Sequence, residues 1–349
     1  MQTDIRSALV AGEAAHTGAA LTFSFVIANY NYARFVRRAI ESALGQEWPH
    51  VEIVVVDDGS TDGSRGVIRS YGDKITAIFQ ANAGQRAANN AGFARSFGDV
   101  VVFLDADDVL EPGFAREVAA VWRPGISKVQ VQMARVDAAE RKLGSLVPDI
   151  ACAPSPEEIR RWATMTSEYP TPPGSGNAYA RTFLERFFPI GGEHDAFTDS
   201  TCLALAPFLG DVVTVAKPLV LYRQHGDNDS NLLADRSRFA REVERAYRRQ
   251  HSAETICRAL GTDRPQEYCI RRGLHLLQLR IASLRINPSI HPVPGESRLT
   301  MLRDLAVSLK GRGFEPFGRR LRVAAWSLLA LILPRGPALR LIRWRFSTR

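Results

Sequence analysis

Two acidic runs stand where apolar stretches end. Asp57-Asp58-Gly59-Ser60-Thr61-Asp62 follows the β-branched run 51–56, and Asp105-Ala106-Asp107-Asp108 follows 100–104. Ligands of open α/β sheets bind outside the carboxyl ends of the strands. A carboxylate fixed there can accept hydrogen bonds from a base or a ribose. In extended backbone alternate residues point the same way, so Asp105 and Asp107 would aim two carboxylates at one point. Paired oxygen anions suit Mg2+ or Mn2+, which usually share their remaining positions with substrate phosphates. Without a cation the like charges repel. Each run also has a structural reading: the first as a strand-to-helix turn whose acids cap the helix, with Thr61 placed to cap it, and the second as a solvated acidic turn.

The stretches between these runs must position them. Residues 23–28, 51–56, 75–79, 100–104 and 129–136 read as strands, and continuous apolar runs of this kind suit strands buried on both faces. Val36, Ala39, Ile40, Ala43 and Leu44 fall at helical spacing, 84–97 reads as a helix rich in Ala and Asn, and Phe114, Val118, Val121 and Trp122 follow Pro112 on another helix face. This alternation predicts an α/β sheet with flanking helices. Ser155-Pro156-Glu157-Glu158 has the form of a capping box. Residues 169–177, rich in Pro and Gly, read as a loop, and 212–215 and 219–223 read as two short strands around Lys217-Pro218. From 231 onward the chain reads as helical. Ile270, Leu274, Leu277, Ile281 and Leu284 repeat over two heptads, too few for a coiled coil, which favours packing within the chain over a dimer seam.

The motifs Ser24-Phe25-Val26-Ile27-Ala28-Asn29-Tyr30-Asn31, Val54-Val55-Val56-Asp57-Asp58-Gly59-Ser60-Thr61-Asp62, Asn82-Ala83-Gly84-Gln85 through Asn90, and Phe103-Leu104-Asp105-Ala106-Asp107-Asp108 resemble, in order and spacing, those of the family 2 glycosyltransferases of GT-A fold. The resemblance covers 22–125 and extends more weakly to about 230 through Ser175-Gly176-Asn177-Ala178-Tyr179 and Pro218-Leu219-Val220-Leu221-Tyr222-Arg223-Gln224-His225-Gly226. It implies a GT-A (Rossmann-like) mixed central sheet with flanking helices over 21–230, after a flexible N-terminus at 1–20. A helical region over 231–316 and a basic amphipathic tail over 317–349 would follow.

By the same resemblance, Ala28, Asn29 and Tyr30 would border the nucleotide base, Asp58 would bind it, and Arg86 would face the diphosphate. Asp105 and Asp107 are similar to the DXD pair, touching ribose and a diphosphate-bound Mn2+ or Mg2+, with His225 a further candidate ligand for the metal. The catalytic base of the family is a later carboxylate, often in a Glu-Asp pair. The corresponding stretch, Glu193-His194-Asp195-Ala196-Phe197-Thr198-Asp199, has no such dipeptide and leaves Asp199 or Asp195. The implied reaction is inverting transfer from a UDP- or dTDP-sugar to a glycan or lipid-linked acceptor, in polysaccharide or glycan assembly. A catalytically impaired nucleotide-binding or scaffold protein is the alternative. A nucleotidyltransferase on a related sheet would need a Gly-rich phosphate loop after the first strand, and residues 28–32 hold no glycine.

The net charge of +8 is uneven: residues 301–349 hold 11 Lys/Arg against 2 Asp/Glu, which leaves 34 basic and 35 acidic side chains in 1–300. A near-neutral body argues against a nucleic-acid groove. In the tail, Arg319, Arg320, Arg322, Arg335, Arg340, Arg343 and Arg345 flank an apolar run, with Trp326, Trp344 and Phe346 interleaved. That pattern suits an interfacial helix on anionic lipid or, equally, a C-terminal helix packed on the body. The four cysteines form no CxxC pair, and no secretory leader or bilayer-length apolar stretch is visible. The chain therefore reads as cytoplasmic, with a peripheral membrane location open.

Overall fold

The structure, a computed structural model, describes residues 21–225, 232, 233, 235, 237–310 and 314–347. The expected flexible segment 1–20, Gly226 and the last two residues of the basic tail lie outside them.

The strands are β1 (Phe23–Asn29), β2 (Val51–Asp58), β3 (Thr76–Gln80), β4 (Val100–Asp105), β5 (Val109–Leu110), β6 (Ile126–Val136), β7 (Lys142–Val147), β8 (Asn177–Ala180) and β9 (Asp211–Arg223). They form one sheet in the order β3-β2-β1-β4-β8-β6-β9-β5, with β7 against β6. The first four are mutually parallel; β8 runs antiparallel to both β4 and β6. The sheet is thus mixed, as the family resemblance implied.

Register brings the acidic runs level. Ala28 lies opposite Val56 on one side and Asp105 on the other, and Asn29 lies opposite Asp57. The ends of β1, β2 and β4 therefore open on one rim. The expected pair of strands around Lys217-Pro218 is a single strand, β9. Proline cannot donate to the ladder, and the β6–β9 register shifts beside Pro218 instead of ending there.

Side-chain alternation divides the core. Phe25 and Ile27 of β1 pack with α1 (Val36–Leu44) and α4 (Phe114–Ala120) on one face. Val26, Val54 and Val56 pack on the other with α3 (Gln85–Arg95), α5 (Pro156–Thr166) and α7 (Thr198–Leu209). The approach of α3 is close: a Cβ added at Gly92 would stand 2.3 Å from Val26 Cγ1. Helix α2 (Ser64–Arg69) follows the first acidic run with Gly63, not Thr61, at its N-cap, and Asp62 accepts from the Ser64 amide at 2.9 Å. Thr61 instead donates its amide to Asn31. Ser155 and Glu158 form the expected capping box on α5. The short helix α6 (Arg181–Leu184) follows β8.

Beyond the sheet, α8 (Arg238–Leu260), α9 (Leu274–Ile286), α10 (Arg298–Lys310), α11 (Phe317–Ile332) and α12 (Arg335–Ser347) enclose a third core. The heptad positions Ile270, Leu274, Leu277 and Ile281 are buried in it, so the chain itself satisfies that repeat. Trp326 is buried and Phe346 packs edge-on to Phe239 and Trp326, so two of the four tail aromatics turn inward while Phe317 and Trp344 stay exposed. Glu168 joins the two regions by accepting the Leu276 amide at 2.8 Å near the start of α9; desolvation raises its carboxyl to about 7. No described helix is long and apolar enough to cross a membrane.

Arg280, fully buried on α9, holds Glu296 and Asp304, the latter at 2.5 Å. Removing one partner of a buried ionic group leaves the others uncompensated. Arg280→Ala should therefore destabilise the helical region by about 3–5 kcal/mol, read from the urea midpoint of a probe placed on α11.

Candidate active site

The first acidic run is organised by a fully buried carboxylate. Asp57 accepts from Asn29 Nδ2 at 3.0 Å, from the Ser60 amide at 3.2 Å and from Arg65 Nε at 2.8 Å. Burial alone would raise its pKa, but bonds from Ser60, Arg65 and Asn29 hold it below the usual carboxylate range. Asp57 thus ties β1, β2 and α2 together. Gly59, at φ +80°, makes the turn that follows; a Cβ there would meet the Asn82 amide nitrogen at 2.6 Å. Asp58 accepts from Gln80 Nε2 at 2.7 Å and from the amides of Ala83 and Gly84 at 2.9 and 2.8 Å. It fixes the turn into α3. The Asn29 side chain is buried in this network, Ala28 is half-buried beside it, and Tyr30 stands exposed on the rim.

The second run brings its predicted residues together. Asp105 accepts from Gln85 Nε2 at 3.0 Å, and its own amide donates to Ser175 Oγ at 3.0 Å. Gly174 lies between two of the acids: a Cβ added there would be 3.4 Å from Asp105 Oδ2 and 3.8 Å from Asp199 Cβ. Withdrawal from water, then the facing Asp107 and Asp199 carboxylates, push Asp105 up to about 8. Burial likewise raises Asp199, against the pull of Arg245 and Arg249. Asp107 Oδ2 and His225 Nε2 stand 2.9 Å apart, and the imidazole stacks on Phe35. Adjacent donors on an octahedral ion at about 2.1 Å lie about 3.0 Å apart, so this oxygen–nitrogen pair fits Mn2+ or Mg2+. Among the described residues no group of three or more His, Cys, Asp or Glu side chains could hold a metal ion. Further ligands would have to come from elsewhere, such as phosphate oxygens.

The loop before α7 distinguishes the two carboxylates left open above. Asp195 is buried and accepts from Ser200 Oγ at 2.6 Å, the Phe197 amide at 3.3 Å and Arg245 Nε at 3.3 Å. It caps α7. Asp199, on the first turn of the helix, is half-buried and faces Asp105 across Gly174. Arg86 donates through Nη1 to the carbonyls of His194 and Asp195, at 3.2 and 3.0 Å, and so holds this loop from α3. From α8, Arg245 lies over the Phe197 ring, and Ser252 meets His194 Nδ1 at 2.8 Å.

Sequence reasoning did not single out Gln85, Arg65, Arg245 or Lys128 for these positions. Lys128 is fully buried on β6 and donates to Thr171 and Tyr169, anchoring the loop that carries Gly174 and Ser175; burial holds its amine well below the ordinary range. A lone Arg on an amphipathic helix, or Lys inside an apolar strand, carries no local motif.

Arg223 supports the second run from β9. It is buried, donates to the Asp107 carbonyl at 2.7 Å through Nε, and pairs through Nη2 with Glu140 at 3.0 Å. Its amide also donates to Asp108 Oδ1 at 3.1 Å. Asp107 is therefore fixed through its backbone as well as through His225.

The mixed sheet with flanking helices, its strand ends level on one rim and Asp105, Asp107 and Asp199 at that rim, has the form of a GT-A-type domain. Residues 24–188 match the model of glycosyl transferase family 2. This part of the chain belongs to that family. An uncharacterized glycosyltransferase of Nostoc sp. is 39% identical over 219 residues, covering 60% of this chain and 66% of the relative. The chain thus spans just under two thirds of that relative's length. Among solved structures, the mannosyltransferase PcManGT of Pyrobaculum calidifontis, in complex with GDP-Man and Mn2+, superposes with a TM-score of 0.52 at 18% identity, over 94% of this chain and 85% of that one. TarS of S. aureus (residues 1–349) in complex with UDP-GlcNAc also gives 0.52, at 16% identity, over 94% and 91%. These likenesses show a shared fold.

Hydrogen bonds from Arg38 and Arg223 hold Glu140 down to about 2. A depressed carboxyl adds stability above its unfolded pKa, and that stability fades as pH falls through the folded value. Glu140→Gln should therefore be less stable than the wild type at pH 7. The difference should close between pH about 4.5 and about 2, as followed by thermal melts across that range.

Proposed function

We propose that the chain transfers a sugar, with inversion, from a UDP- or dTDP-sugar to a hydroxyl of a glycan or lipid-linked acceptor, in polysaccharide or glycan assembly, with Mn2+ or Mg2+ as cofactor. The observation that carries this reading is the approach of Asp105 and Asp199 across Gly174, with Asp107 close enough to act on the Asp105 charge and His225 2.9 Å from Asp107. Complexes of the two structural neighbours with GDP-Man and Mn2+ and with UDP-GlcNAc supply the ligand class by analogy.

The roles follow from chemistry at each position. The Ala28–Tyr30 loop and the Asp58 carboxylate would meet the base, Asp58 through what its amide contacts leave free. Gln85 would direct its Oε1, buried and without a partner among the described residues, at a ribose hydroxyl beside Asp105. Asp107 and His225 would hold the cation, which when bound offsets the charge of the nucleoside-diphosphate leaving group. Arg86 would keep the 194–195 loop in place beside the diphosphate. Asp199 would take the proton of the acceptor hydroxyl as that oxygen attacks the anomeric carbon and the bond to the diphosphate breaks. Asp195, engaged by Ser200 and Arg245, fits the positioning of that base better than the proton transfer itself.

Transfer and hydrolysis assays over a panel of nucleotide sugars test the reading. Asp199→Asn should lower transfer by about 10²–10⁴-fold while donor binding by calorimetry changes little. Asp107→Ala should remove the response to added Mn2+; equal activity in this variant and the wild type would reject the metal role. Nucleotide binding without turnover of any donor would instead support a non-catalytic module.

A further inference from the structure

Helix α11 has two apolar faces, and the helical core uses one. Val323, Ala324, Trp326, Ala330 and Leu331 are buried in it. Phe317, Leu321, Ala325, Leu328 and Ile332 fall at i, i+4, i+8, i+11 and i+15, a single stripe on the opposite side, and all five are exposed. Phe317 is 72% exposed and Ile332 57%. At about 1.5 Å per residue the stripe runs some 24 Å. On α12, which also packs on α9, the exposed side chains include Arg340, Arg343 and Trp344, and Arg322 borders the stripe on α11. Contiguous exposed apolar surface of this kind marks an interaction site.

The charge around it identifies the partner. Among the described residues of 298–347 the only acids are Asp304 and Glu315, both half-buried and paired with Arg280 and Arg319. A second copy of this face would therefore oppose arginines to arginines, with no carboxylate to relieve them. An anionic leaflet supplies phosphates for the guanidinium groups, hydrocarbon for the stripe, and an interfacial level suited to the amphipathic Trp344 ring.

We propose that the outer face of the α11–α12 hairpin lies flat on a membrane surface rich in anionic lipid. The docking is independent of the sugar chemistry, since none of these residues lies among the carboxylates.

The test is co-sedimentation of the full chain with vesicles of phosphatidylglycerol and phosphatidylcholine, or of phosphatidylcholine alone, at low and high salt. The wild type should partition onto the anionic vesicles and be released by salt. Leu321→Asp/Leu328→Asp/Ile332→Asp and, separately, Arg322→Gln/Arg340→Gln/Arg343→Gln should each reduce partitioning by about tenfold or more. The far-ultraviolet dichroism should be unchanged. Because the Arg set changes only exposed side chains, it keeps the test valid if the Asp set perturbs folding. Three results would overturn the proposal: no partitioning of the wild type, equal binding to neutral vesicles, or a concentration-dependent dimer that the Asp set abolishes.

Discussion

Concentrating negative charge at one strand end is the constraint around which this molecule is arranged. Asp105 and Asp199 meet where Gly174 leaves room, and burial, followed by the charges of Asp107 and Asp199, lifts Asp105 far above a normal carboxylate. Left to themselves, such groups would swing apart into solvent. Each is instead fixed from behind: Asp105 by Gln85 and Ser175, Asp107 by Arg223 and His225, and Asp199 by its place on the first turn of α7. A carboxyl raised to about 8 holds its proton at neutral pH, and a cation beside it would favour the ionised form.

A buried carboxylate does the opposite work two strands away, across β1. Asp57 has enough donors to stay ionised without water, so it can anchor β1, β2 and α2 at once. The contrast lies in the partners. A carboxylate ringed by donors is a fastener, whereas one facing other carboxylates is poised for a ligand.

Much of this was legible in the residues because it is local. Continuous β-branched runs mark the central strands, the acids fall at their ends, and Ser155 with Glu158 spells out its own cap. The family resemblance also offered Asp107 and His225 as candidate ligands of one metal, and their side chains lie 2.9 Å apart although 118 positions separate them. Information carried by tertiary packing was not legible. The sequence favours Asp199 over Asp195 only as the start of an apolar helix, and it gives no sign that Ser200 and Arg245 engage Asp195. Pro218 suggested two strands, yet β9 continues through a register shift. In the tail, one apolar run proved to have an inner and an outer face, so Trp326 is a core residue while Trp344 is not.

The loop before α7 is held from two directions, by Arg86 of the sheet region and by Arg245 and Ser252 of α8. The helical region is therefore no detachable appendage. A chimaera that grafted foreign C-terminal helices onto this sheet to change its acceptor would also replace two of the three clamps on that loop. Exchange between relatives would have to carry those contacts across the join, which limits how freely such chains can be recombined at this boundary.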